Sequence, residues 1–166
     1  MRDLFIKSIF LLSVAVSTFF QGNVYAAESV WDKATVDHAG TKDITVYHSP
    51  TCSCCKKWIS HLKKHEFNVI DIETNDVMPI KIKHKLPQNM ASCHTAIIDG
   101  YVIEGHVPAD DIKRLIKDKP NIAGLSVPQM PAGTPGMEMG NKKDPFSVFK
   151  FDKSGKFDVY KEYWSY

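Results

Sequence analysis

Three of the four cysteines in this 166-residue chain fall within four positions, Cys52-Ser53-Cys54-Cys55, and the fourth, Cys93, stands far along the chain. The thiolate is the form of cysteine that attacks disulfides and binds soft metals. Cys52 lies where a loop should pass into a helix. His48-Ser49-Pro50-Thr51 breaks an extended run, and Cys55, Trp58, Ile59 and Leu62 follow at i, i+3, i+4 and i+7. Free N–H groups and the helix dipole at such a junction stabilise an anion and so favour the thiolate. Cys52 and Cys55 share one helix face as C-x-x-C, and Cys54 adds a third sulfur on the same turn, pointing elsewhere. A disulfide between the neighbours Cys54 and Cys55 is strained, so the spacing suits chemistry better than stapling. Three sulfurs this close also suit a cluster in which they bridge several ions.

The elements that must position these sulfurs can be read on either side. Ile44-Thr45-Val46-Tyr47 alternates and predicts a first strand, and Phe67 to Ile72 a second. Asn75 is the expected N-cap of a short helix running toward Leu86, with Pro79 in its first turn. Thr95-Ala96-Ile97-Ile98, Asp99-Gly100 and Tyr101-Val102-Ile103-Glu104 together predict a hairpin with a type I′ turn. A helix over Pro108 to Lys117 follows, burying Ile112, Leu115 and Ile116. The order β-α-β-α-β-β-α is that of an α/β fold, a thioredoxin-like sheet flanked by helices. In such folds the strand that opens the hairpin starts beside the C-x-x-C helix terminus, so Cys93 is expected to approach Cys52.

Residues 120–145 differ in character. Five prolines and four glycines mix with Met130, Met137 and Met139, which predicts a long irregular loop. Thioether and thiolate sulfur are soft donors that select Cu(I), so Met130 and Met137 are candidate secondary ligands on a lid over the cysteines. The chain closes with Phe146 to Phe151, a turn at Asp152-Lys153-Ser154-Gly155, and Phe157 to Tyr163, a second hairpin whose aromatic residues are expected in the core. Residues 27–42 read as a linker, and 43–166 as the domain.

The first 26 residues read as a cleaved export signal. Arg2 and Lys7 mark a charged start, Ile9 to Phe20 an apolar run, and Val24-Tyr25-Ala26 a cleavage site. The run falls short of the ~20 apolar residues that span a bilayer, so no stable membrane anchor is expected. Export predicts a periplasmic location. Composition is that of a globular chain, 43% hydrophobic and 24% charged. Lys and Arg number 21 against 19 Asp and Glu; removing Arg2, Lys7 and Asp3 leaves 19 against 18, a net of +1. With no basic stripe, nucleic acid is a poor partner. In an oxidising compartment four cysteines ordinarily suggest two disulfides, which this crowding does not suit.

Among seven histidines, His61, His65 and His84 sit among lysines and are expected on the solvated surface, with His38 in the linker. His48 and His106 are expected to be structural. His94 directly follows Cys93, where typical thioredoxins carry a cis-proline, and is the best histidine candidate for ligation or for holding a ligand in place.

The run from Tyr47 through Cys52-Ser53-Cys54-Cys55 to Trp58 resembles the CopG-type copper-resistance family, as do Ser92-Cys93-His94-Thr95-Ala96 and Asp99 through Pro108. Gly124 through Pro131 and Thr134-Pro135-Gly136-Met137-Glu138 resemble a third block, so that the likeness covers roughly residues 43–163. The resemblance implies an exported, thioredoxin-like protein that binds copper ions through Cys52, Cys54, Cys55 and Cys93. It further implies interconversion of Cu(I) and Cu(II), which would make the protein a copper oxidoreductase, and a place among other periplasmic copper-handling proteins. Two alternatives stand beside it. One is a metal-free thiol–disulfide oxidoreductase using Cys52 and Cys55, which leaves Cys54 and Cys93 unexplained. The other is a structural zinc site, for which three ligands on one helical turn make poor tetrahedral geometry.

Overall fold

The computed structural model describes residues 29–166, so the export signal read at residues 1–26 lies outside the described residues. Seven strands form one mixed sheet, in spatial order Asn68–Glu73 (β2), Asp43–His48 (β1), His94–Ile98 (β3), Tyr101–Gly105 (β4), Gly124–Val127 (β5), Phe146–Phe151 (β6) and Phe157–Tyr163 (β7). The helix stripe behind the cysteines is realised as α1 (Ser53–Lys64), which buries Cys55, Trp58, Ile59 and Leu62. It crosses between β1 (Asp43–His48) and its parallel neighbour β2 (Asn68–Glu73). Strands β3 (His94–Ile98) and β4 (Tyr101–Gly105) form the expected antiparallel hairpin. Asp99 and Gly100 both take positive φ, 47° and 81°, the conformation a type I′ turn requires. Helix α3 (Ala109–Asp118) then leads to β5 (Gly124–Val127), parallel to β4.

Two expectations need correction here. The short helix α2 (Met78–Lys83) is capped by Val77, not Asn75; Asp76 accepts the Met78 N–H at 2.9 Å instead. Strand β5 falls inside the stretch expected to be wholly irregular. Its four residues are fully buried, and they are held by neighbours on both sides, β4 and β6. A Cβ at Gly124 would collide with the Val102 carbonyl, so only glycine lets β5 approach β4 this closely. Because β5 bridges the gap, β6 (Phe146–Phe151) and β7 (Phe157–Tyr163) continue the same sheet.

The main core lies between the sheet and helices α1 and α3, where Ile44, Val46, Ala96, Ile98 and Ile103 meet Trp58, Leu62, Ile112 and Leu115. A smaller cluster of Val102, Ala123 and Phe151 forms with Leu86 and Ile97. Of the closing aromatics, Phe146 and Phe151 are buried, but Phe157 is 44% exposed, against expectation. The stretch read as a linker carries no helix or strand among its described residues, yet its Trp31 is buried against Tyr163 and Tyr166. The Trp31 indole donates to the Gly133 carbonyl at 2.7 Å. No helix among the described residues is long and apolar enough to cross a membrane.

Candidate metal centre

Cys52 is the N-cap residue of α1, with extended backbone and no side-chain cap of its own. The first turn of α1 carries Cys54 and Cys55 beside it. Cys93 immediately precedes β3, which pairs with β1 so that His94 stands opposite His48, at the end of β1 from which the cysteine loop departs. All four sulfur atoms lie within 4.8 Å of one another. Cys52 and Cys55 are joined in a disulfide, while Cys54 and Cys93 are free. The Cys54 sulfur sits 3.5 Å from that of Cys52. Burial, and next the nearby Cys54, push the Cys93 thiol up to about 12, so it carries its proton at neutral pH. An ion bound there must displace that proton, which couples binding to pH.

A second group of donors shares Cys93. Its sulfur lies 3.2 Å from His94 Nδ1 and 3.3 Å from His106 Nε2. The Nδ1–H of His106 donates to the Pro135 carbonyl at 2.8 Å, which leaves the Nε2 lone pair facing the sulfur. The His94 ring is fully buried, tilted against Trp58 at 4.4 Å and edge-on to His106 at 5.0 Å. Burial holds both imidazoles below the ordinary histidine range, His94 well below it. Neutral imidazole is the form that ligates metal.

The segment bearing Cys93 is clamped from behind. Glu104 Oε1 accepts the Ser92 N–H at 2.6 Å and the buried Lys81 ammonium, and Oε2 accepts the Thr95 hydroxyl at 2.7 Å. Burial pushes the Glu104 carboxyl up while Lys81 pulls it down. From the front, the proline- and glycine-rich loop closes on α1: a Cβ at Gly136 would stand 2.7 Å from the Trp58 nitrogen and 3.0 Å from the Cys54 carbonyl. The loop thus meets the site through Pro135 and Gly136. Met130 is 50% exposed and Met137 half-buried.

Two histidines expected on the surface are not there. His61 and His65 are 5% and 2% exposed, packed ring to ring beneath the Trp31 segment. His48 has both nitrogens engaged, Nδ1 with the Ser49 carbonyl at 2.8 Å and Nε2 with Asp71 at 2.6 Å. His106, expected to be structural, is the residue whose position most changes the site. A signal for it was present. The hairpin register pairs Ile98 with Tyr101 and Thr95 with Glu104, and continuing it two residues sets Cys93 opposite His106.

Fold and site together define a mixed α/β protein with a thiol- and imidazole-rich centre at one end of its sheet. A family model described as "Protein of unknown function, DUF411" matches residues 90–137, which include Cys93, His94 and His106. Two solved structures are similar along most of their length. "Copper resistance protein copG- Form 1" shares 42% identity with a TM-score of 0.71, covering 75% of this chain and 98% of that one. "Copper resistance protein copG- Form 2" shares 41% identity with a TM-score of 0.71, covering 75% and 99%. No curated protein matches. The chain belongs to the CopG copper-resistance family.

Proposed function

We propose that this is an exported, periplasmic copper-binding protein of copper resistance or homeostasis. In its reduced form Cys52, Cys54, Cys55 and Cys93 hold copper in a thiolate cluster on a thioredoxin-like frame. The observation that carries this reading is the convergence of four sulfur atoms within 4.8 Å, drawn from two separate elements. Disulfide exchange needs only two of them; the other two require a further reason to be there. Thiolates select soft ions, and Cu(I) is the softest common candidate. His94 and His106 add imidazole donors, a mixed sulfur and nitrogen set that can serve Cu(II) as well as Cu(I). This supports copper redox handling alongside binding, in exchange with other periplasmic copper-handling proteins.

The experiment is an anaerobic Cu(I) titration of fully reduced protein, wild type against Cys54→Ser. More than one copper per chain, falling in the variant, is the expected result. The Cys52–Cys55 disulfide favours one competing reading, a thiol–disulfide oxidoreductase. Disulfide-reductase turnover that survives Cys54→Ser, with copper stoichiometry unchanged, would establish that reading and remove the first.

A further inference from the structure

The disulfide divides the donor set. Joined to one another, Cys52 and Cys55 offer no thiolate. The donors left over remain together: Cys54 and Cys93 keep free sulfurs within the same 4.8 Å grouping, and Cys93 also belongs to the grouping with His94 and His106. Each of the two imidazoles is set up toward that sulfur. Pro135 fixes the His106 tautomer with its lone pair on Nε2, 3.3 Å from Cys93. His94 brings Nδ1 to 3.2 Å on the same sulfur, and its Nε2 is buried with no partner.

We propose that the protein keeps a metal site when Cys52 and Cys55 are oxidised: Cys93, His94 and His106 then hold a single Cu(I), with the free Cys54 thiol beside Cys93. Reduction of the disulfide by an external dithiol, which leaves as its own disulfide, frees the Cys52 and Cys55 thiols; these give up their protons as further Cu(I) enters, enlarging this seat into the multi-ion cluster. The oxidised chain is therefore a lower-capacity carrier rather than an empty form, and Cys93 is the sulfur common to both states. This rests on the copper reading above.

The test compares three preparations under anaerobic conditions, each titrated with Cu(I) against a Cu(I)-specific chelator. One is reduced wild type. The second is oxidised wild type, its single disulfide verified by mass and by two free thiols. The third is the Cys52→Ser/Cys55→Ser double variant, which cannot form the disulfide. Oxidised protein and double variant are each expected to bind one Cu(I), with sulfur and nitrogen neighbours in the X-ray absorption spectrum. In that state Cys93→Ser should abolish binding and His106→Ala should weaken it at least ~10-fold, while His65→Ala, remote from the site, leaves it unchanged. Copper absent from both oxidised protein and double variant overturns the proposal, as does copper indifferent to His106→Ala and Cys93→Ser. Reduced wild type binding several ions while the other two bind none sinks this inference and spares the cluster. A single ion in all three, lost in the same variants, sinks the cluster and spares this inference.

Discussion

Two pairs of buried histidines lie along α1, and their rings face different partners. His94 packs on Trp58 in the N-terminal half of α1 with His106 edge-on to it, and His61 and His65 lie toward the C-terminal end. Both pairs are buried and both touch ring to ring. What differs is the partner of the second nitrogen. His61 Nε2 accepts the Ala109 N–H at 3.0 Å, and His65 Nε2 donates to the Trp31 carbonyl at 2.6 Å, so these rings tie α3 and the N-terminal segment to α1. His106 has its Nδ1 occupied by a carbonyl and turns the free nitrogen to a thiol. Burial alone does not make a histidine a ligand. The hydrogen bond on the far side of the ring decides where the lone pair points.

The comparison is broken most forcefully from behind the cysteines. Glu104→Ala leaves the Lys81 ammonium buried without its carboxylate and frees the Ser92 N–H. The expected cost is ~3–5 kcal/mol in denaturant unfolding, together with weaker copper binding because Cys93 loses its clamp. Unchanged copper affinity in such a variant would mean that the ligand end does not depend on this support.

At the other pair, stability and copper binding should separate. Trp31→Ala removes a buried indole over His65 and is expected to cost about 3 kcal/mol, with copper stoichiometry and affinity as in wild type. A loss of copper in step with Trp31→Ala would erase the distinction between the two ends.

Per pH unit, the smallest effect is a slope in stability. Burial, and then the neighbouring His65, lower His61 to about 3; Asp32 and Asp110 pull it up and Lys64 pulls it down. The unfolded chain therefore takes up a proton at His61 below its ordinary value of 6.5 that the folded chain refuses. Stability from this group is whole above that value and falls as pH drops from about 6.5 toward 3, on the order of 1 kcal/mol per pH unit. His61→Gln, which retains an acceptor for Ala109, should flatten the decline in melting temperature over this window. His94, also lowered by burial, leaves a residual slope.

Much of this was readable along the chain where the cause is local. Asp99-Gly100 specifies its turn because those residue types accept positive φ, and the stripe from Cys55 to Leu62 specifies α1 through its period. Cys93 is expected near Cys52 by analogy with thioredoxin-like folds of the same element order, and the pairing of β3 with β1 brings it there. The misses have a common cause in contacts distant along the chain. Gly124-Leu125-Ser126-Val127 carries no strand signal of its own; it is a strand because β4 and β6 flank it. His61 and His65 sit among lysines, and only the packing of Ala109, Asp110 and Trp31 against them makes that helix face an interior one.

The sequence by itself therefore determined that a crowded thiol group would sit at the mouth of a helix, and that a hairpin would carry a fourth sulfur toward it. Spacing and turn chemistry act over a few residues and leave little choice. Only the tertiary structure decided which histidines join the sulfurs. The rings of His94 and His106 face the Cys93 sulfur while those of His61 and His65 brace α3 and the N-terminal segment, and the partners that hold them so, Pro135 for His106 and Ala109 for His61, come from distant parts of the chain.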